Sequence, residues 1–558
     1  MSERGLRLLR IVVVAAFVLA ILGAIFLPVY SDETGWRFQE RAGIDGVDRM
    51  FNDICGPNTL AVPPFFMMPV RAFSAFTNLL FADPFWVRVS GILYALVWTW
   101  MVLVLIGQIA STRPVKYGLG LIALGLMSLA NTPLILAMSR PEQPLLLVTS
   151  AALLIALADW KQGDPGNPLR TTPRIRAWLR SALLFTLGVI ALSYHLKALF
   201  LLPLLLVCLV FCCRGRETVL PRLVSGALLI VVGYVSATYW IDRLACPDDP
   251  VLQELFALNN FGAGISEIDS VQALAGFVGQ LVSNISLAAY VQLVAPVYEP
   301  MSSWLPPQQV SEAAMARWEY FLFVCWGLAG IAALLGLAKG ARNSWLERWI
   351  DPRVALSAVL VAAIVAWSAT QGERNIYEAG LALPLLMLAV ILAISSAAAG
   401  PRAAVMRNTL ATLLGFAGIA SIVFTAMLWM PSLRYANRQE AYIPVMPFSV
   451  PVFGYAQVKP QILKVAKQCH IPEPARAHRV VIDELTYFAF MPSHLPEHRL
   501  GVFKVWNGSI KDPIAYLKAR NSDGIVVGCK NLPPDLRARA KSQGQFCCLG
   551  PEEWNDHE

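Results

Sequence analysis

Long apolar runs alternate with short charged breaks along most of this chain. The runs near 9–29, 86–109, 117–138, 143–160, 222–241, 319–338, 354–370, 379–397 and 409–430 each suit a spanning helix, which needs about 20 apolar residues. The stretch 181–213, "SALLFTLGVIALSYHLKALFLLPLLLVCLVFCC", reads as one very long helix or as two short ones broken at His195 and Lys197. Loop charge decides between them. With two spans, Arg4/Arg7/Arg10, Arg113/Lys116, Lys161 through Arg180, Arg214/Arg216/Arg222, Lys339 through Arg353 and Arg402/Arg407 all fall on one side. With one span, everything after residue 213 inverts and the bias collapses. The positive-inside rule therefore selects about eleven spans with a cytoplasmic N-terminus.

Four features then face the other side. They are a first loop over 30–85, very short turns at "SRPEQ", "YHLK" and "QGERNIYE", a large loop over 242–318, and a polar C-terminal segment over 431–558. Within that segment "RVVIDEL" and "DGIVVGC" read as strands, while "DPIAYLKAR" and "PPDLRARAKSQG" read as helices. The chain thus divides into a transmembrane part, 1–430, and a small soluble α/β domain, 431–558. The expected fold class is a polytopic α-helical membrane protein with a small C-terminal extracytoplasmic α/β domain.

Composition agrees. Hydrophobic residues make up 56% of the chain and charged residues 15%, against about 25% charged in soluble proteins. The net charge of +8 sits mostly in the short loops. It therefore reads as topology and not as a nucleic-acid surface. The segment 11–29 is long and lacks a small-residue cleavage pattern, so it reads as the first span and not as a signal peptide. Six cysteines (Cys55, Cys246, Cys469, Cys529, Cys547 and Cys548) fall on the outer side, where disulfides form. The C-terminal four make two bridges in this reading, with the pairing open, and Cys55 with Cys246 is a further pair.

The outer turns are brief, charged and set into apolar sequence. Arg140 and Glu142 sit in "SRPEQPLLL", His195 and Lys197 in "SYHLKALFLLPL", and Arg374, Asn375, Tyr377 and Glu378 in "GERNIYEAGLALP". Asp32 and Glu33 follow the first span. Charges at membrane depth are costly and usually mark a functional site. Cations can neutralise a phosphate, arginine through two parallel bonds, and a carboxylate can take a proton from an attacking hydroxyl. This set suits chemistry on a lipid-borne phosphate. Each residue also has a plainer use: Asp32 as a helix cap, Arg140 with Glu142 as a structural ion pair, His195 or Lys197 snorkelling to the interface, and Arg374 as a loop charge.

These positions resemble the C-type glycosyltransferase superfamily (GT-C), in the branch of protein O-mannosyltransferases and lipid A aminoarabinose transferases. The resemblance rests on Asp32-Glu33 after the first span, with Arg41 beyond it, on Pro63-Pro64 in "AVPPFFMMPV", and on Arg88 opening the second span in "FWVRVSGILYAL". The "SRPE" turn, the "HLKALFLLPL" break and the soluble tail complete it. It implies a GT-C-like bundle with juxtamembrane helices in loop 30–85, and a polyprenyl-phosphate sugar as donor. The acceptor would be an envelope glycan, lipid or protein, reached on the periplasmic side of a bacterial inner membrane. Asp32 would be the general base in an inverting transfer. Glu33 and Glu142 would shape the site or help hold a divalent metal. His195, Lys197 and Arg374 would contact the donor phosphate. The aminoarabinose branch carries a Lys before its Pro-Pro pair where this chain has Val62, so that phosphate contact is either missing or replaced by Arg71. Arg140, Asn375 and Tyr377 complete the expected site. A transporter or flippase for a lipid-linked sugar would use the same cations without a base, but such proteins often show repeated halves and this chain shows no repeat.

Overall fold

A computed structural model describes residues 3–30, 33–34, 83–158, 173–212, 218–244, 270–290, 311–347, 350–369, 379–397, 401–436, 449–493, 497–498, 502–503, 510 and 512–554. The membrane part is helical: α1 Glu3–Gly23, α2 Pro84–Ile109, α3 Arg113–Met127, α4 Thr132–Leu136, α5 Glu142–Leu157, α6 Pro173–Tyr194, α7 Leu202–Phe211, α8 Val219–Leu244, α9 Val271–Tyr290, α10 Glu312–Glu347, α11 Pro352–Ala369, α12 Ala379–Ser396 and α13 Pro401–Ala436. Among the described residues, seven helices are long and apolar enough to cross a membrane. Shorter apolar helices over Glu142–Leu157, Leu196–Phe211 and Gly380–Ser396 match three more of the expected runs. The protein is a multi-pass membrane protein.

The ambiguous stretch 181–213 does break at His195. There α6 stops, the backbone turns extended, and a 3-10 segment, Leu196–Leu201, leads into α7. Arg180 near the start of α6 donates to the Cys212 carbonyl past the end of α7, at 3.0 Å. The chain therefore doubles back. Arg222 of α8 donates to the Val210 carbonyl, and Ser236 further along α8 donates to Leu192 near the end of α6. So α8 runs alongside α6, with α7 antiparallel to both. Two stretches differ from the sequence expectation. The run 117–138 is not one helix: α3 ends in a turn at 128–131, where Ala130 takes a positive φ of 46°, before α4 begins. Side chains replace water at this buried turn: Ser421 accepts from the Ala130 amide, Thr425 donates to its carbonyl, and Trp429 donates to the Asn131 side chain. The stretch 242–318, read as an outer loop, contains α9.

Basic residues gather at one end of the bundle. Arg10 of α1 and Arg407 of α13 both pack against the start of α3. Arg353, opening α11, donates to the Ser395 carbonyl at the end of α12. Arg180 and Arg222 meet the end of α7, as above. Segments entering the opposite end carry the candidate site.

The C-terminal part folds into a five-stranded sheet in the order β4-β3-β5-β7-β6, with β3 Val480–Ile482, β4 Glu497–His498, β5 Gly524–Gly528, β6 Lys541–Gln543 and β7 Phe546–Leu549. Strands β3, β4 and β5 are parallel; β7 runs antiparallel to β5 and β6. Helix α14, Tyr455–Gln468, packs on the sheet through Val458, Ile462 and Val465. The expected helices are present as Pro513–Ala519 and Pro534–Arg539, the first capped by Asp512. The open cysteine pairing resolves to Cys469–Cys548 and Cys529–Cys547; Cys55 and Cys246 lie outside the described residues. This domain is seated on the bundle. Strand β2, Ser449–Val450, pairs antiparallel with β1, Val29–Tyr30. Val29 and Val87 share an apolar cluster with Val450, Val452, Tyr455 and Ile462. Phe453 meets Phe26 and Phe85 with ring centroids at 5.7 and 6.0 Å.

Candidate active site opposite the basic end of the bundle

Two ionic clusters occupy this end. The first joins Glu33, four residues past Val29, to Arg88, one residue past Val87. Both side chains are fully buried. Arg88 Nη1 and Nη2 donate to the two Glu33 oxygens at 3.1 and 2.8 Å. Nε donates to the Leu27 carbonyl, Nη2 also to Pro28 and Nη1 also to Ala137. That spends every N–H a guanidinium owns. Glu33 in turn accepts from the backbone amides of Tyr30, at 3.0 Å, and Ser139, at 2.6 Å. One ion pair therefore ties together the exit of α1, the start of α2 and the turn before α5. The same turn is held by Gln143, which donates to the Gly91 and Leu136 carbonyls. It presses so closely on α2 that a Cβ at position 91 would lie 1.9 Å from the Ala137 oxygen.

The second cluster lies along the start of α5. Glu142 pairs with Lys197 through Oε1 and with Arg140 Nε through Oε2, the latter at 3.2 Å. Arg140 Nη2 approaches Oε1 at 3.5 Å. Lys197 reaches Glu142 because the helix breaks at His195, whose Nδ1 accepts from the Lys197 amide at 3.0 Å. That bond caps the 3-10 turn. It also makes Nε2 the protonated nitrogen of the neutral ring. The Glu142 side chain is 3% exposed, against 14% for Lys197 and 11% for Arg140. Lys197 offers three donors, and among the described residues its ammonium meets only Glu142. Helix α12 begins beside this cluster: a Cβ on Gly380 would lie 3.9 Å from Glu142 Cγ.

The structure thus brings Glu142, Arg140, His195 and Lys197 together, with Glu33 in the adjoining lock. Asp32, Arg71, Arg374, Asn375 and Tyr377 lie outside the described residues. Gly380 brings the chain to Glu142 shortly after the last three of them. Neither carboxylate of the two clusters is set up for a metal, because each oxygen already faces a cation. Among the described residues no group of three His, Cys, Asp or Glu side chains could hold one. The Ser139 amide and Gln143 carry no sequence signal of their own. Gly91 inside an apolar helix is the trace they leave, since small residues mark close backbone approach between spanning helices.

No family model matches the chain, and no curated protein matches it. Among solved structures it is similar to ArnT from Cupriavidus metallidurans bound to undecaprenyl phosphate, with 11% identity, 97% of each chain covered and a TM-score of 0.44. It is also similar to the archaeal oligosaccharyltransferase AglB from Archaeoglobus fulgidus, in complex with an inhibitory peptide and a dolichol-phosphate. There the identity is 10%, the coverage 97% of this chain and 74% of that one, and the TM-score 0.41. At these scores the likeness lends no weight to the role of any residue.

Proposed function

We propose that the protein is an integral membrane glycosyltransferase that moves a sugar from a polyprenyl-phosphate donor to an envelope glycan, lipid or protein acceptor on the periplasmic side. One observation carries the reading. Lys197 and Arg140 converge on a buried carboxylate at the bundle end opposite the basic loops, and Lys197 gets there only through a break in an apolar helix. A charged pair of this kind inside an apolar bundle is expensive unless it serves a site. Its place at the end of the helices is where the phosphate of a lipid-linked substrate would lie, with the polyprenyl chain among the apolar helix faces.

In this mechanism Lys197 grips the donor phosphate, joined by Arg374 from the segment that precedes Gly380. The Nε2–H of His195 supplies a further donor, and Arg71 takes the place of the lysine missing before Pro63-Pro64. Glu142 holds Lys197 in place and Arg140 keeps Glu142 ionised; Asn375 and Tyr377 shape the pocket. Asp32 removes the proton from the acceptor hydroxyl as that oxygen attacks the anomeric carbon, with inversion. Glu33, clamped by Arg88, fixes the backbone that presents Asp32. The lipid phosphate leaves into the same cations, and such preorganised electrostatics often contribute the largest share of a rate enhancement. No step is routed through a metal.

The test uses purified protein, radiolabelled polyprenyl-phosphate sugars and a membrane glycolipid extract. Label should move to a new species with wild-type protein and stay on the donor with Asp32→Asn. The variant should elute and melt like wild type. Near-normal transfer by Asp32→Asn would sink the assignment of the base; donor binding without transfer by either protein would favour a transporter.

A further inference from the structure

At the basic end of the bundle, Arg407, Arg10 and Lys116 have no carboxylate partner among the described residues. Arg407 lies in the second turn of α13 and Arg10 about two turns into α1. Gly118 and Gly120 of α3 make room for them. A Cβ on Gly118 would fall 3.1 Å from Arg407 Nε, and one on Gly120 3.1 Å from Arg10 Nε. Positions two apart on an α-helix point about 200° apart, so the arginines flank α3 from different sides. Arg10 also stands over the Tyr117 ring, with Cζ 5.7 Å from the centroid.

Arg407 is 4% exposed. Among the described residues its Nε and Nη1 have no hydrogen-bond partner, and Nη2 reaches only Asn408 Oδ1, at 3.4 Å. Among the described residues, no carboxylate pairs with Arg407, Arg10 or Lys116; the ion pairs of the membrane part are Glu33–Arg88, Glu142 with Arg140 and Lys197, and Asp351–Arg353. A buried guanidinium with open donors is costly unless an acceptor meets it. Apolar side chains next to both arginines are exposed: Leu8 and Ile11 on α1, Val405 and Leu413 on α13. A buried guanidinium therefore lies beneath an exposed apolar face, one or two turns inside the helix ends.

We propose that α1, α3 and α13 form a binding site for a phosphate group, carried by the headgroup of an anionic lipid of the inner leaflet. The Arg407 donors take the phosphate oxygens, since a planar guanidinium fork matches phosphate geometry. Arg10 and Lys116 raise the local positive potential, and the acyl chains cover Leu8, Ile11, Val405 and Leu413. Basic pockets between spanning helices on the cytoplasmic side bind anionic headgroups in this way. The site is independent of the transfer reaction.

The experiment is a melting series on the purified full chain in detergent, with phosphatidylglycerol, phosphatidylcholine or inorganic phosphate added. Phosphatidylglycerol should raise the melting temperature by several degrees and phosphatidylcholine should not. Arg407→Gln should lose most of that gain and Arg10→Gln part of it. Arg407→Lys, which keeps the charge but not the fork, should lose an intermediate share and covers the case of a poorly folded Arg407→Gln. An equal gain in wild type and all three variants would overturn the proposal. A gain from inorganic phosphate that depends on Arg407 would support the phosphate site but overturn its assignment to a lipid.

Discussion

The two ionic clusters opposite the basic end draw on segments far apart in sequence and differ in what they leave over. In the Glu33–Arg88 pair every guanidinium donor is spent and both carboxylate oxygens are doubly bonded, with no exposure. In the Glu142 cluster the carboxylate is buried, but Lys197 keeps exposed surface and donors to spare. A saturated buried pair can only hold things in place. An unsaturated one at the same depth can still take an anion. In the proposed reading, the pair whose motif stands beside Asp32 is the frame, and the cluster assembled from the short turns is the part that would meet a substrate.

The largest effect should come from breaking the frame. Arg88→Met leaves Glu33 buried among amides with no cation. Removing one partner of a buried pair costs about 3–5 kcal/mol, and the loss should appear as a sharp drop in melting temperature in detergent. Adding Glu33→Gln to that variant should restore a good part of the loss. If Arg88→Met melts like wild type, the clamp is not structural.

Next comes Lys197→Ala, where the loss should fall on activity. Transfer should drop about 100- to 1000-fold, the scale of removing one preorganised charge-stabilising donor. Stability should change by only about 1 kcal/mol, because Arg140 still faces Glu142. A stability loss as large as that of Arg88→Met, with transfer intact, would reverse the roles assigned to the clusters.

The smallest effects separate two glycines. Gly91→Ala puts a Cβ 1.9 Å from a backbone oxygen, so helix or turn must move; overpacking of this kind costs about 1–3 kcal/mol. Gly380→Ala puts its Cβ at ordinary contact distance, 3.9 Å from Glu142 Cγ. Its stability should stay within about 0.5 kcal/mol of wild type. Melting curves of the two variants side by side check whether tight packing is confined to the frame.

Much of this architecture is legible in the sequence. Apolar run length marks the spans, because a helix must satisfy its own backbone in lipid. Loop charge settles that the chain reverses at His195, and the structure shows the reversal through Arg180 and Cys212. The strands in "RVVIDEL" and "DGIVVGC" and the helices in "DPIAYLKAR" and "PPDLRARAKSQG" also follow from local pattern, though "AKSQG" supplies strand β6 where the sequence reads as helix. The charged turns are visible as a set, since charge inside apolar sequence is costly wherever the fold puts it. Their partners are not. That Arg88 spends itself on Glu33 and three carbonyls, that Glu142 meets both Lys197 and Arg140, that Arg407 meets no acid among the described residues and that Cys469 pairs with Cys548 all depend on distances between segments remote in sequence. Hydrophobic period and loop charge are properties of the chain that any window reveals. Which donor meets which acceptor is decided only when the helices pack, because packing alone fixes the few ångströms that separate a saturated ion pair from an open one.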